Sequence, residues 1–361
     1  MLKKVLITVP KLSAPGGVSA FWNALLPELY KFKSIQVKTL EIGGHGKNIF
    51  GPLLDQRNFS RALSKDTDLF FLNPSLGFRS FFRDGLFARQ LVKKGIPFVA
   101  FFHGWDLAFE EKVGQKYLRF FKATFGKATT LFVLSQKFAN KLREWGYQGN
   151  VFVETTVVDA TILNDFNIEQ KYTSQNSTVK IRILFLSRLL KEKGVYETIE
   201  AIENLRLKFH NLELVIAGDG EAFKAVSDYV RHKDGISMCG HVVGQQKINL
   251  FTSSHIYCLP SYSEGLPTSV LEAMAFGLPI ITTPVGGLQD FFKDGKMGYF
   301  VGVRNVSELQ HSLERLISDY KLMEEIGRFN YKYSHDMLMN TAVSRRLTDY
   351  LIQSMNEERN G

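Results

Sequence analysis

The chain has 361 residues, of which 45% are hydrophobic and 22% charged. This composition excludes wholesale disorder and suits about two globular domains. Two cysteines, Cys239 and Cys258, are too few for a disulfide framework and lack the close spacing of a metal site. No apolar run approaches the length needed to cross a bilayer, and the first ten residues lack a secretory cleavage pattern. We therefore expect a soluble, cytoplasmic protein.

The net charge of +9 is unevenly distributed along the chain. Residues 1–160 contain 23 Lys and Arg against 12 Asp and Glu, a net charge of +11. Residues 161–361 contain 22 against 24, a net charge of −2. A basic N-terminal half favours an anionic partner, such as a membrane surface, an acidic substrate or nucleic acid, although basic charge also serves solubility alone.

Short β-branched or aromatic runs alternate with amphipathic stretches along the whole chain, which predicts βαβ units. The runs are almost continuously apolar, so we expect parallel strands covered by helices on both faces. The predicted strands are 5–10, 69–74, 98–104, 130–135, 151–157, 181–187, 212–218, 236–242, 255–261 and 279–285. The predicted helices include 19–32, 79–94, 268–276 and 337–356.

A polar segment, residues 163–180, interrupts this rhythm, and we interpret it as an interdomain linker. It separates two Rossmann-like domains of the α/β class, residues 1–162 and 181–336. Residues 337–361 form a final helix that we expect to return and pack on the N-terminal domain. Doubly wound domains bind ligands at the C-terminal ends of their strands, and in such an architecture these ends can face each other across a cleft.

Two glutamates with seven residues between them stand out in the segment 261–291. Glu264 lies in the loop after a predicted strand, and Glu272 lies one turn inside the following helix. A helix N-terminus suits a diphosphate, and a carboxylate suits a pair of adjacent hydroxyls. The residues predicted to present backbone amides there are Gly265, Leu266, Pro267 and Thr268.

The segment resembles the EX7E signature of the large family of group 1 (family 4-like) glycosyl transferases, which are retaining enzymes with the GT-B fold. Residues 181–202 resemble a second family element, in which Arg188 and Lys193 are the cations. Arginine can bind a diphosphate through bidentate hydrogen bonds, and lysine acts as a point charge. Two further elements resemble the family, the glycine-rich turn at Gly218 and the segment ending at Val242, which in the family lies beside the nucleotide base.

The N-terminal half resembles the family more loosely. Residues 15–18 follow the first strand as the family's first glycine loop does, and Gly16 and Gly17 would let backbone amides approach the donor unless they form only a tight turn. His103 occupies the place of the family's active-site histidine. Asp106 could orient the His103 imidazole, or it could cap a helix.

The resemblance implies a retaining, metal-independent glycosyltransferase that moves a sugar from a nucleotide diphosphate sugar, with a UDP-sugar favoured, to a glycan or lipid-linked acceptor. Such an enzyme would serve cell-surface polysaccharide assembly and would need no cofactor. The resemblance implies that the N-terminal domain binds the acceptor and the C-terminal domain binds the nucleotide sugar. Implied roles are ribose binding by Glu272, diphosphate binding by Arg188 and Lys193, and sugar binding by Glu264. His103 would position the sugar or line the acceptor side.

Alternatives are a nucleotide-sugar epimerase of related fold and a non-enzymatic basic binding protein. An epimerase needs acidic residues and histidines that the sequence does not assemble. A binding protein would leave the cations and glutamates unexplained, and no nucleic-acid motif is present, so we predict no nucleic-acid partner. The Asp-x-Asp pattern at residues 66–68 precedes a strand, at the wrong edge of the sheet for a metal site in the cleft.

Residues 78–94 combine aromatic and basic side chains on one predicted helix. This pattern predicts weak, reversible attachment to an anionic membrane on its cytoplasmic face, although the apolar side could instead be core. The apolar members are Phe78, Phe81, Phe82, Leu86 and Leu91, and the basic members are Arg79, Arg83, Arg89, Lys93 and Lys94.

Overall fold

A computed structural model describes residues 2–14, 16–44, 50–63, 66–176 and 180–357. The chain forms two compact units. The N-terminal unit comprises residues 1–157 and 340–361, and the C-terminal unit comprises residues 158–339.

Each unit contains one parallel β-sheet, so the predicted α/β fold is confirmed, and every predicted strand overlaps an observed one. The N-terminal strands are β1 (Lys3–Val9), β2 (Ile35–Glu41), β3 (Leu69–Leu72), β4 (Phe98–Phe102), β5 (Thr130–Val133) and β6 (Asn150–Val153). The C-terminal strands are β7 (Ile181–Leu186), β8 (Leu212–Ala217), β9 (Ile236–Gly240), β10 (Ile256–Leu259), β11 (Ile280–Thr282) and β12 (Gly298–Phe300).

Helices separate most successive strands of both sheets, as the alternating sequence pattern predicts. Those of the N-terminal unit are α1 (Gly17–Leu29), α2 (Gly51–Ala62), α3 (Phe78–Lys94), α4 (Leu107–Lys112), α5 (Leu118–Ala123), α6 (Gln136–Glu144) and, at its C-terminal end, α15 (Asn340–Glu357). Those of the C-terminal unit are α7 (Ile168–Asn176), α8 (Val195–Arg206), α9 (Phe223–Val230), α10 (Gly244–Ser253), α11 (Thr268–Ala275), α12 (Leu288–Phe291), α13 (Val306–Ser318) and α14 (Tyr320–Met337).

The strand orders locate the ligand-binding edge of each sheet. The N-terminal order is β2-β1-β3-β4-β5-β6 and the C-terminal order is β12-β11-β10-β7-β8-β9. The strand order therefore reverses between β1 and β3 in one sheet and between β7 and β10 in the other. Doubly wound sheets bind ligands outside the carboxyl ends of the strands at these switch points.

Strands β2 and β12 were not predicted, and both lie at sheet edges. An edge strand is covered on fewer sides, so its sequence need not be a continuous apolar run. In β2 the pattern is mostly polar and only Ile35 is fully buried. Strand β12 has three residues and pairs only with β11 among the described strands.

The segment predicted as a linker contains helix α7, which packs within the C-terminal unit. Its polar residues are buried for a specific reason. The Lys171 Nζ atom lies 3.0 Å from the carbonyl oxygens of Phe251 and Phe276, at the ends of helices α10 and α11. The Tyr172 hydroxyl donates to the Gly277 carbonyl at 2.6 Å. These side chains satisfy carbonyls that helix ends leave without partners.

Helix α15 packs against α1 in the N-terminal unit and is fixed there by polar contacts. The Asn340 side chain donates to the Ala24 carbonyl at 3.0 Å. The Arg346 guanidinium makes two hydrogen bonds to Glu154, with Nε–Oε2 and Nη2–Oε1 distances of 3.1 and 2.6 Å. The Glu154 side chain is only 3% exposed, so this ion pair lies largely inside the unit.

Arg346→Met should lower the free energy of unfolding by about 3 kcal/mol, because it leaves the buried Glu154 carboxylate without its cation. Urea unfolding followed by circular dichroism measures the change. Arg345→Met, in the neighbouring exposed position, is the matched control. Equal losses in the two variants would show that the Glu154 pair does not fix α15.

Candidate active site

The turn after β7 carries both predicted cations. Gly194 ends this turn with φ = 78°, and a Cβ atom there would lie 2.3 Å from the Pro260 carbonyl oxygen. Only glycine therefore allows the turn to approach the end of β10. This close approach places Lys193, which is 8% exposed, beside the loop that follows β10.

Lys193 and Glu264 contact each other directly. The Lys193 Nζ atom lies 2.6 Å from Glu264 Oε1, and the two side chains are 10% and 13% exposed. Arg188, five residues earlier, is exposed, and its guanidinium has no hydrogen-bond partner among the described residues. The structure thus brings three predicted site residues to the switch point of the second sheet and leaves one cation free to bind a ligand.

The loop containing Glu264 is held by a second glycine turn. The Gly287 amide donates to the Gly265 carbonyl at 2.7 Å. Gly286 has φ = 57°, and a Cβ atom there would lie 2.2 Å from the Gly265 oxygen and 2.3 Å from the Glu264 oxygen. The position of Glu264 therefore depends on the absence of a side chain at residue 286.

The start of helix α11 presents free backbone amides. Within the described chain, the amides of Gly265, Leu266 and Thr268 have no hydrogen-bond acceptor. Pro267, which was predicted to contribute an amide, has no N–H, so only its fixed backbone angle serves this helix start.

Tyr257 ties the helix start to the sheet. Its buried hydroxyl lies 2.7 Å from both the Leu186 carbonyl and the Ser269 hydroxyl. Burial raises the pKa of Tyr257 well above its usual value, and Glu264 and Glu272 raise it further. The hydroxyl therefore stays protonated and joins β7, β10 and α11.

Glu272 has a partner that was not predicted. Lys247 of α10 places its Nζ atom 2.7 Å from Glu272 Oε1, and the two side chains are 24% and 13% exposed. The carboxylate is therefore fixed in one orientation, with Oε2 as its second acceptor. Lys247 belongs to none of the quoted motifs and lies 25 residues before Glu272, so the sequence carries no signal for this contact.

The remaining predicted residues of the second sheet lie close to the same edge. Gly218 follows β8, and a Cβ atom there would lie 1.8 Å from the Ser187 oxygen, so close packing of neighbouring turns explains this glycine. Val242 follows β9 and is 9% exposed.

His103 follows β4 in the N-terminal unit and is held by Asn73. The two side chains join at His103 Nε2 and Asn73 Oδ1, 2.9 Å apart. The Asn73 amide nitrogen donates to the Thr8 carbonyl, so the Asn73 oxygen faces the histidine. Nε2 therefore carries the hydrogen, and Nδ1 is an acceptor with no partner among the described residues. Burial lowers the pKa of His103 to about 3, which keeps the imidazole neutral at neutral pH.

The other N-terminal motifs have separate positions. Gly16 precedes α1, and Cβ atoms on Gly16 or Gly17 would meet nothing within 4 Å, so the backbone there is open to a ligand. Residue 15 of the same motif lies outside the described residues.

Asp106 caps α4 by accepting a 3.1 Å hydrogen bond from the Phe109 amide, so it serves the helix and not the His103 imidazole. Asp68 accepts from the Lys4 amide at 2.8 Å, before β3.

Helix α3 divides its aromatic and basic residues between core and surface. Phe81 and Leu91 are buried, whereas Phe78 and Leu86 are exposed. Arg83 is turned inward against Asp84. The surface members are the two exposed apolar residues together with Arg79, Arg89, Lys93 and Lys94.

Comparison with protein families matches residues 167–333 to the family described as "Glycosyl transferases group 1". These residues hold the turn after β7, the Glu264 loop and helix α11. The C-terminal unit is therefore similar to this family over most of its length.

Among curated proteins, the chain is similar to TuaC of Bacillus subtilis (strain 168), a candidate teichuronic acid biosynthesis glycosyltransferase. The two are 28% identical over 251 residues, which is 69% of this chain and 58% of TuaC. The chain thus spans only about half the length of the curated relatives it matches.

Two solved structures share the fold. The sucrose-phosphate synthase of Thermosynechococcus elongatus matches with a TM-score of 0.76 and 15% identity, over 97% of this chain and 98% of that one. HepE of Anabaena, solved in complex with UDP-glucose, matches with a TM-score of 0.69 and 16% identity, over 97% of this chain and 99% of that one. The fold is the predicted GT-B architecture of two Rossmann-like domains.

The described residues contain no group of three or more His, Cys, Asp and Glu side chains arranged to hold a metal ion. Among the helices that the structure describes, none combines the length and the apolar character needed to cross a membrane.

Gly286→Ala should destabilise the protein more than Gly295→Ala. Both residues have positive φ, so both variants incur the left-handed backbone cost of about 1–2 kcal/mol. Only Gly286 would place a Cβ atom against the Glu264 loop, which adds about 1–3 kcal/mol of overpacking, whereas Gly295 faces open space. Thermal unfolding of the two variants measures the difference. Indistinguishable midpoints would mean that the 286–287 turn does not hold the loop.

Proposed function

We propose that this protein is a retaining glycosyltransferase that uses a nucleotide diphosphate sugar, with a UDP-sugar favoured. The acceptor is a glycan or lipid-linked sugar, and the reaction serves cell-surface polysaccharide assembly. The observation that carries the proposal is the Lys193–Glu264 contact at the switch point of the second sheet, beside an exposed Arg188. The assignment of the similar TuaC to teichuronic acid synthesis supports the product class.

The cations and the free amides suit a diphosphate leaving group. Arg188 can make bidentate hydrogen bonds to phosphate oxygens, and the Lys193 ammonium retains two N–H donors beyond its contact with Glu264. The amides at the start of α11 add further donors at a positive helix terminus. Negative charge develops on the diphosphate as the glycosidic bond breaks, and donors fixed in advance stabilise that charge.

Glu264 would orient the transferred sugar and would not need to act as a nucleophile at its anomeric carbon. Its Oε1 atom holds Lys193, which leaves Oε2 to accept a hydrogen bond from the transferred sugar. The acceptor hydroxyl attacks the anomeric carbon from the side of the leaving diphosphate, and its proton passes to a departing phosphate oxygen. One glycosidic bond forms and one breaks on the same face, so configuration is retained without a covalent enzyme intermediate and without a metal ion.

Glu272 would bind the ribose of the nucleotide. Lys247 fixes one carboxylate oxygen at 2.7 Å, which orients the other toward a hydroxyl. In the N-terminal unit, His103 has a free Nδ1 lone pair, and it would accept a hydrogen bond from a hydroxyl of the sugar or the acceptor.

Glu264→Gln and Glu272→Gln should have different kinetic effects. The ribose is held alike in the ground and transition states, so Glu272→Gln should raise KM with little change in kcat. The sugar changes as it reacts, so Glu264→Gln should lower kcat by tenfold or more. Release of UDP or GDP from a panel of nucleotide sugars, without added metal, measures both constants.

Exposed Glu221→Gln is the control for the loss of one carboxylate. Identical defects in the Glu264 and Glu272 variants would contradict the division of roles. No nucleotide release from any sugar, with no thermal stabilisation by UDP or GDP, would contradict the proposed activity.

We further propose that the exposed surface of α3 attaches the protein to an anionic membrane carrying a lipid-linked acceptor. Phe78 is 60% exposed and Leu86 is 41% exposed, and exposed arginines and lysines surround them. Interfacial aromatic groups with adjacent cations bind anionic lipid, each cation contributing about 1 kcal/mol.

The double variant Phe78→Ser/Leu86→Ser should lose binding to anionic liposomes at low salt. The matched control is Leu207→Ser, which removes an exposed leucine from the C-terminal unit. Co-sedimentation with anionic and neutral liposomes at low and high salt measures the effect. Equal, negligible binding of the unmodified protein to both liposomes would contradict membrane attachment.

A further inference from the structure

A cavity of about 240 Å³ opens at the switch point of the first sheet, outside the carboxyl ends of β1 and β3. Its polar wall is formed by Thr8, Asn73, Ser75, Ser80, Arg83 and Asp84. Val9, Pro10, Val18 and Ile42 form an apolar wall. A small cavity with one apolar wall and several fixed polar groups has the general character of a ligand site.

The polar wall is organised around a partly buried ion pair. Arg83 Nε lies 2.8 Å from Asp84 Oδ1, and Arg83 Nη2 lies 3.0 Å from Asp84 Oδ2. The Ser80 hydroxyl also donates to Asp84 Oδ2 at 2.7 Å and accepts from the Ser75 amide at 2.8 Å. Asp84 is 2% exposed. Such a pair adds little net stability to a fold. Its position on a cavity wall therefore suggests that it serves to bind a ligand.

Two hydrogen-bonding groups on this wall lack partners within the described residues. Arg83 Nη1 makes no hydrogen bond, and a Cβ atom added at Gly43 would lie 3.2 Å from it, so the glycine leaves room beside this nitrogen. The Ser75 side-chain hydroxyl also makes no hydrogen bond there. Both residues line the cavity.

The charge of the wall selects against a phosphate. Asp84 neutralises Arg83, so this pair offers no net positive charge to an anion. A neutral ligand with several hydroxyls fits these groups, and its C–H face suits the apolar wall. Asn73 joins the cavity to His103, so a ligand here would lie next to the histidine's own hydrogen-bond partner.

We propose that this cavity binds a neutral pyranose ring of the acceptor, with Arg83 Nη1 and the Ser75 hydroxyl donating to its oxygens. The assignment to the acceptor rests on the proposed transferase function. Sugar binding by the cavity does not rest on that function, and it can be measured without a donor.

Saturation-transfer-difference NMR of the full chain tests the proposal. The probes are the methyl glycopyranosides of glucose, galactose, mannose and N-acetylglucosamine at millimolar concentration, without nucleotide. We expect saturation transfer to at least one probe, and its loss in Arg83→Lys, which keeps the charge beside Asp84 but removes Nη1. Arg79→Lys, at an exposed position one turn earlier on α3, should keep the signal.

Three results would overturn the proposal: no saturation transfer to any probe, an unchanged signal in Arg83→Lys, or loss of the signal in Glu264→Gln, which would assign it to the donor site. If Arg83→Lys lowers the thermal midpoint, Ser75→Ala replaces it with the same criteria. Thermal shifts with UDP and with GDP are measured in parallel. Sugar binding without a shift by either nucleotide would remove the transferase proposal and leave the cavity as a sugar site.

Discussion

The contact between Lys193 and Glu264 is the constraint on which the second unit depends. Placing an ammonium and a carboxylate 2.6 Å apart with little exposure requires two loops from neighbouring strands to meet without intervening side chains. Gly194 provides this on one side by approaching the Pro260 carbonyl, and Gly286 provides it on the other by approaching the Glu264 loop. Desolvation of both charges makes such a pair a weak source of stability. Under the proposed function, its value would lie in presenting fixed charge before a substrate binds.

A second lysine–glutamate pair, Lys247 and Glu272, joins helices α10 and α11. Lys247 holds Glu272 as Lys193 holds Glu264, but Lys247 is more exposed. In both pairs the lysine occupies one carboxylate oxygen and leaves the other to accept from a hydroxyl. A carboxylate oriented in this way loses little freedom on binding, which reduces the entropic cost of recognising a flexible polyol.

Much of the fold follows from the sequence because buried parallel strands must be apolar along their whole length. Strand β2 is mostly polar because it lies at an edge, so its sequence does not identify it as a strand. Helix α7 has a polar sequence that suggests an exposed linker. Its lysine and tyrosine are nevertheless buried against helix ends that only the tertiary structure brings together. The residues of the candidate sites fall into two similar groups, those that the sequence identifies and those that only the structure identifies. Contiguous motifs predict Lys193 and Glu264, whereas Lys247 and Arg83 depend on partners that no local spacing identifies. In the sequence Arg83 resembles the surface cations around it, and only packing shows it turned toward Asp84.

The inward position of Arg83 shows that the basic residues of the N-terminal half do not all lie on its surface. A net charge of +11 over residues 1–160 is compatible with an acidic substrate as well as an acidic surface. At the cavity of the first sheet the arginine is neutralised by Asp84 and the nearby histidine is uncharged, so the excess charge is not concentrated there. On α3 it lies on the exposed side, with Arg79, Arg89, Lys93 and Lys94. Charge placed on a surface acts at the range of the Debye length, whereas a neutral cavity selects by hydrogen bonds and shape. Under the proposed function, the positive charge would support long-range attraction to an anionic surface, and the choice of acceptor would depend on uncharged groups.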